Sequence, residues 1–368
     1  MPLTAIIQSE LFAAGPMPFR RFMELALYHP EHGYYTSGRA QVGRKGDFFT
    51  NVSVGPLYGR LMAQQFVELW QRLGEPSEFT IVEQGANNGD FATDALAALR
   101  ILHTGCFAAT RYCIVEPSPT LAAKQREHLA AFTEKVAWFT SQNELPRWTG
   151  VHFSNELIDA FPVHVVSWDG SAWMEKHVVF AEGAFTFTDG PLSSPQLAAA
   201  CAEIPAPIIG TTTEVNLAAR HWVAETAARM QRGYILAVDY GWEREEYHSP
   251  TRTTGTLSAY ANHKREENPL ARPGELDLTA HVNFSDLADA ALASGLQIAG
   301  FTDQHHFMVG LGEHHFADGA NLGDIRAFQT LMHPQFMGLA FKLAAFAKDA
   351  PIAPLAGFRY ARNNRPLN

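Results

Sequence analysis

Four short apolar runs in this chain each end in an acid or an amide. Glu83 follows Phe79-Thr80-Ile81-Val82, Glu116 follows Tyr112-Cys113-Ile114-Val115, Asn155 and Glu156 follow Val151-His152-Phe153, and Asp239-Tyr240-Gly241 follows Tyr234-Ile235-Leu236-Ala237-Val238. If the runs are neighbouring parallel strands, these polar ends share one edge of a sheet, the edge where open α/β folds bind ligands. A pocket rimmed with carboxylates accepts hydroxyl groups and positive charge.

Glu83 leads into Gly85-Ala86-Asn87-Asn88-Gly89, a G-x-N-x-G turn ahead of a helix. Glycine lets the backbone turn tightly and approach a ligand, and a helix N-terminus supplies N–H donors. The same turn also serves as plain strand-to-helix punctuation. Glu116, at the end of the next strand, can accept both hydroxyls of a ribose. A dinucleotide site calls for G-x-G-x-x-G around a pyrophosphate, whereas Asn87 and Asp90 occupy this turn. A carboxylate beside a pyrophosphate is misplaced, which disfavours a nicotinamide-dependent oxidoreductase. A phosphate-free nucleoside bearing a sulfonium and an ammonium suits the acids better, and S-adenosylmethionine is such a molecule.

The elements needed to hold these ends follow from the hydrophobic pattern. From residue 79, short apolar runs alternate with helical stretches, as in a parallel sheet with crossover helices, and Val136-Ala137-Trp138-Phe139 adds a fifth strand. The expected fold is α/β, a Rossmann-like, doubly wound, mostly parallel sheet. Helices are expected from Phe91 to Leu99, after the Ser118-Pro119 cap, from about Glu214 to Arg232 with Gly233 ending it, and from Ser285 to Ser294 closed by Gly295. Residues 163–188 alternate apolar and polar around Asp169-Gly170 and Glu182-Gly183 and read as antiparallel hairpins. Pro18 opens a helix with Phe19, Phe22, Met23 and Leu27 at helical spacing, and Leu57 to Leu73 is helical again. The expected division is an N-terminal helical cap over 1–75, a core over 76–315 that includes an insertion at 163–232, and a C-terminal helical segment over 316–368 packing on the core.

Composition excludes several classes. The chain of 368 residues has 38 acidic and 28 basic side chains, a net charge of −10, which argues against wrapping nucleic acid. No run approaches the ~18 apolar residues of a membrane-spanning helix, and the first residues lack the pattern of a secretory signal. Cys106, Cys113 and Cys201 show no C-x-x-C spacing and point to a reducing compartment. A cytoplasmic protein with no nucleic-acid or membrane partner is expected. The 16 histidines include His305-His306, His314-His315 and His29-x-x-His32, but no cysteine cluster or H-E-x-x-H helix accompanies them, so no metal site is expected.

Further stretches combine into a distinctive set: Leu27 to Tyr35, Gly46-Asp47-Phe48, the Glu83 to Gly89 turn, Val115-Glu116-Pro117-Ser118-Pro119, Asn155 to Pro162, Asp239-Tyr240-Gly241, Gly255-Thr256-Leu257, Asp277 to Phe284, and Met332-His333-Pro334 to Gly338. Through them the chain resembles the MidA-like methyltransferases over nearly its whole length. The resemblance implies a class I methyltransferase fold that binds S-adenosylmethionine with Glu83, Gly85, Asn87, Gly89 and Glu116 around the cofactor. It also implies that the loop carrying Gly46, Asp47 and Phe48 folds over that site. The family's mitochondrial member is a protein arginine methyltransferase that assists assembly of respiratory complex I, so a protein substrate with arginine as acceptor is expected. Two departures stand out: Asn87 replaces the middle glycine of the family's G-x-G-x-G turn, and Asn51-Val52-Ser53-Val54 replaces a Pro-Glu stretch.

Under this reading Asn155, Glu156 and Asp159 stand where the acceptor arrives. Glu156 and Asp159, three apart on an expected helical turn, can hold a guanidinium by charge-assisted bonds; in the alternative, Asp159 caps the turn and Glu156 alone faces the pocket. His281 serves as a base or substrate contact, or else bonds backbone. Tyr34, Tyr35, Phe48 and Phe49 line a lid or pack in a core. The competing function is a cofactor-binding assembly scaffold without turnover, and oligomeric state is open.

Overall fold

The computed structural model describes residues 2–37, 50–205, 207–261, 264–316, 321–361 and 367. The Gly46-Asp47-Phe48 loop, with Phe49, lies outside them.

From the N-terminus come helices α1 (Leu3–Ala14), α2 (Phe19–Tyr28) and α3 (Leu57–Arg72), then strand β1 (Phe79–Gln84), helix α4 (Asp90–Leu102), β2 (Thr110–Val115), α5 (Pro119–His128), β3 (Val136–Phe139) and β4 (Trp148–Asn155). After an inserted region follow α6 (Leu217–Arg229), β5 (Met230–Trp242), α7 (Phe284–Ala293), β6 (Gln297–Asp303), α8 (Gln304–His315), α9 (Leu322–Met332) and β7 (Phe341–Lys348). The central sheet runs β6-β7-β5-β4-β1-β2-β3. Strands β1 to β5 are mutually parallel where they pair, and β7 is antiparallel to both β5 and β6. The strand order reverses between β1 and β4, so the ligand crevice of a doubly wound sheet falls at their carboxyl ends.

Both faces of the sheet are covered. Leu61, Phe66, Phe91, Leu96 and Phe307 build one core with α3, α4 and α8, and Trp222, Val223, Phe284 and Leu287 build the other with α6 and α7. The five expected strands are present. The C-terminal segment differs from the expectation: it is not wholly helical, because Phe341–Lys348 enters the middle of the sheet. Its alternate residues Leu343 and Ala345 face one core and Ala344 and Phe346 the other, so the run is apolar on both sides and shows no period of 2.

The expected helix from Glu214 to Arg232 is shorter at both ends. Asn216 accepts a hydrogen bond from the Ala219 N–H at 2.9 Å and caps it, while Thr212–Val215 pairs antiparallel with His164–Ser167. Gly233, expected to end the helix, lies inside β5. Its φ is 145° and an added Cβ would sit 1.9 Å from the Gly150 carbonyl oxygen, so the close approach of β4 and β5 requires glycine. The inserted hairpins form as expected, with Glu182 and Gly183 both at positive φ in the second turn. Residues 1–75 divide between two cores. Helix α3 packs on the central sheet, whereas Ile7, Phe19, Phe22 and Leu27 pack with Val165, Val178 and Phe185 of the inserted sheet.

Candidate active site

The turn after β1 is built on left-handed backbone at Gly85 (φ 83°), Asn87 (φ 45°) and Gly89 (φ 88°). Asparagine tolerates this region better than other side chains, so the departure from glycine keeps the turn. An added Cβ at Gly85 would meet Leu157 at 3.3 Å and one at Gly89 would meet Leu129 at 3.3 Å. The turn is thus pressed between the end of β4 and the segment after α5. Glu83 is buried below it and accepts a 2.7 Å hydrogen bond from the Tyr112 hydroxyl. Burial pushes its carboxyl up to about 7, against the opposing effect of that bond.

Glu116 follows β2, only 8% exposed. One carboxylate oxygen accepts the Ser118 N–H at 2.8 Å and the other accepts the Gln125 side-chain amide at 3.1 Å. Burial raises its pKa and the two bonds oppose the rise. Each carboxylate oxygen has two lone pairs, so both retain capacity for a hydroxyl donor.

The acceptor side of the site lies at the ends of β4 and β5. Asn155 Oδ1 accepts from the Tyr58 hydroxyl at 2.7 Å and from Asn51 Nδ2 at 3.2 Å, and Asn155 Nδ2 donates to Glu156 Oε1 at 2.9 Å. Glu156 is half-buried with φ 54°. A left-handed glutamate is uncommon and such strain concentrates at functional sites. The expected helical turn through Glu156 and Asp159 does not form; the chain bends at Glu156 and makes an irregular turn. The reason is Asp239 of β5, whose Oδ2 accepts the N–H groups of Leu157 (3.2 Å), Ile158 (2.8 Å) and Asp159 (3.3 Å). Its Oδ1 takes the Tyr240 N–H at 2.9 Å.

Glu156, Asp159 and Asp239 form one cluster with Asp277, which accepts from the Tyr35 hydroxyl at 2.5 Å. Burial, then the charge of Asp239, pushes Glu156 up to about 8. Asp159 is raised well above the carboxylate range by burial and by its acidic neighbours, and burial takes Asp239 to about 7 despite its four backbone bonds. Tyr28, whose hydroxyl donates to the Ala160 carbonyl at 2.9 Å, completes the wall. Tyr34 and Tyr35 pack in the α1/α2 core rather than forming a separate lid.

His281 sits to one side. Its ring stacks on Trp242 (centroids 4.2 Å apart), with Tyr240 6.1 Å away, and its backbone N–H donates to Thr256 Oγ1 at 3.0 Å. Burial, with Arg252 and Lys342 nearby, lowers its pKa to about 4, so the ring is neutral near pH 7. The sequence marks Asp239 as one of the strand-end acids and Asn51 as part of a departure from the family pattern, but it gives neither a partner; Asp277 appears only within a motif, and nothing local singles out Tyr58 or Gln125. Among the described residues, no group of three or more histidine, cysteine or acidic side chains is placed to hold a metal ion.

These residues fit S-adenosylmethionine by their chemistry. A left-handed turn at a helix N-terminus offers N–H donors, Glu116 offers acceptors to a ribose, and the acids offset the sulfonium. With the sheet order, they define an S-adenosylmethionine-dependent methyltransferase. The chain belongs to the MidA-like family: residues 61–302 match a family model described as "putative S-adenosyl-L-methionine-dependent methyltransferase". A crystal structure from Burkholderia thailandensis bound to S-adenosyl-homocysteine superposes with a TM-score of 0.90 at 31% identity, covering 98% of this chain and 95% of that one. The Drosophila melanogaster protein arginine methyltransferase NDUFAF7 homolog, mitochondrial, is 28% identical over 96% of this chain and 87% of its own length. The Homo sapiens protein arginine methyltransferase NDUFAF7, mitochondrial, is 25% identical over 99% and 87%.

Proposed function

We propose that the methyl acceptor is the guanidinium of an arginine side chain in a protein substrate. The observation that carries this reading is the acid cluster at the ends of β4 and β5. Among the described residues the charges that bear most on Glu156 and Asp159 are those of other acids, and a planar cation bonding two carboxylate oxygens would relieve that repulsion. The names of the curated relatives agree with this substrate.

S-adenosylmethionine, when bound, supplies a methyl group on a sulfonium, and the reaction is an in-line displacement in which positioning dominates. Gly85, Asn87, Gly89 and Glu116 would hold it. Glu156 binds the guanidinium and aims one nitrogen, while Asn155 fixes the carboxylate from behind. Arginine stays charged in proteins, so the attacking nitrogen must shed a proton as its bond to carbon forms. Burial and Asp239 favour the neutral form of Glu156 in the empty site; the bound guanidinium favours its ionised form, and that carboxylate then accepts the proton shed by the attacking nitrogen. His281, whose ring stacks on Trp242, serves in this reading as a packing residue rather than as the base.

Incubation with methyl-labelled S-adenosylmethionine and a denatured cellular proteome, followed by hydrolysis to amino acids, tests the reading. Label in methylarginine is expected. Label in methyl-lysine, label confined to small molecules, or no transfer would overturn it.

A further inference from the structure

Gln125 is fully buried in α5, and all its amide atoms are engaged. Its Oε1 accepts the Trp138 indole N–H at 3.0 Å. Its Nε2 donates to the Asn87 carbonyl at 2.7 Å and to Glu116 Oε2 at 3.1 Å. An indole nitrogen only donates, so the amide oxygen must face Trp138 and the NH2 must face the two acceptors. The orientation of this amide is therefore set by chemistry, and the flipped form would oppose like dipoles at all three contacts.

One side chain thus joins the two parts of the cofactor site that come from different strands: the left-handed turn after β1 and the acid after β2. Without the NH2, Glu116 would keep the Ser118 N–H on one oxygen and lose the second contact, on the other oxygen, that fixes the plane of its carboxylate. We propose that Gln125 is a positioning residue that holds the Glu116 carboxylate in register for the two ribose hydroxyls, with Trp138 fixing the amide. The inference concerns the cofactor side and stands independently of the arginine reading.

The test is ribose discrimination rather than activity. Calorimetry would compare S-adenosylhomocysteine with its analogue lacking both ribose hydroxyls, on the wild type, Gln125→Met and Trp138→Phe. A well-placed acceptor should make the wild type favour the natural compound by about 10-fold or more, the equivalent of one to two hydrogen bonds. Gln125→Met, similar in length but without a donor, should lose most of that ratio, beyond any fall shared by both compounds that comes from the lost bond to the Asn87 carbonyl. Trp138→Phe leaves Gln125 in place and removes only the orienting N–H, so it should lose part of the ratio; it carries the test if Gln125→Met does not fold. A preserved ratio in both variants overturns the proposal. So does an equal loss of affinity for both compounds, which would mark a purely structural role, and so does a wild type that does not discriminate.

Discussion

The Tyr58 hydroxyl reaches 2.7 Å to Asn155 Oδ1, tying helix α3 to the last residue of β4. Tyr58 is fully buried, and Asn155 passes the connection on to Glu156. Tyr58→Phe removes one donor and leaves Asn51 Nδ2 as the remaining donor to Asn155 Oδ1. A loss of about 1 kcal/mol in unfolding stability is expected, together with a several-fold fall in kcat and little change in S-adenosylmethionine affinity. Denaturant unfolding and steady-state kinetics check this; a change confined to cofactor affinity would place Tyr58 on the wrong side of the site.

The acid cluster gives the cofactor-free protein a specific pH dependence. Glu83, Asp239 and Glu156 have folded pKa values of about 7, 7 and 8, all above the ordinary carboxylate range. The folded state therefore holds more protons than the unfolded chain, and stability falls as pH rises through 7 to 8. Burial holds His152 down at about 3 and His281 at about 4, and these work in the opposite sense below the usual histidine pKa. Above about pH 7, where an unfolded histidine is mostly neutral, the acids dominate and Tm should decline toward pH 8. Glu156→Gln removes one of them and should flatten the decline. A Tm that rises over this interval in the wild type would contradict the buried cluster.

The ends of the parallel strands were legible because each joins an apolar run to a polar residue, and that junction depends on local pattern alone. What escaped depends on distant partners. Phe341–Lys348 is alanine-rich and buried on both faces, so neither helical nor alternating periodicity marks it as a strand. The left-handed bend at Glu156 is imposed by Asp239 from another strand, and glutamate carries no local preference for it. Gln125 looks like an ordinary polar residue of a weakly amphipathic helix, since only the folded sheet brings Trp138, Asn87 and Glu116 around it.

Asn87 invites a direct substitution. With φ at 45°, glycine would remove the left-handed cost of about 1 kcal/mol while making the unfolded chain more flexible. Gln125 bonds the backbone carbonyl at this position, so that contact survives. Asn87→Gly should leave stability within about 1 kcal/mol of the wild type and cofactor affinity nearly unchanged. Asn87→Val puts a β-branched side chain where φ is positive and should lower both. Equal behaviour of the two variants in thermal unfolding and calorimetry would show that the turn does not need this backbone conformation.

Glu116 gives the decisive ligand experiment. A ligand at about 100 times its Kd stabilises the native state by roughly 2.7 kcal/mol, so S-adenosylmethionine and S-adenosylhomocysteine should each raise Tm measurably. NAD should not, because the turn after β1 places Asp90 at the start of α4, where a pyrophosphate would need to lie. In Glu116→Ala the ribose loses its acceptors, while the turn keeps Gln125 through the Asn87 carbonyl. The variant should therefore fold, and its Tm shift at the same ligand concentration should shrink toward zero. An undiminished shift would mean that the cofactor is held without Glu116, and the ribose would have to be sought elsewhere along the ends of β1 and β2.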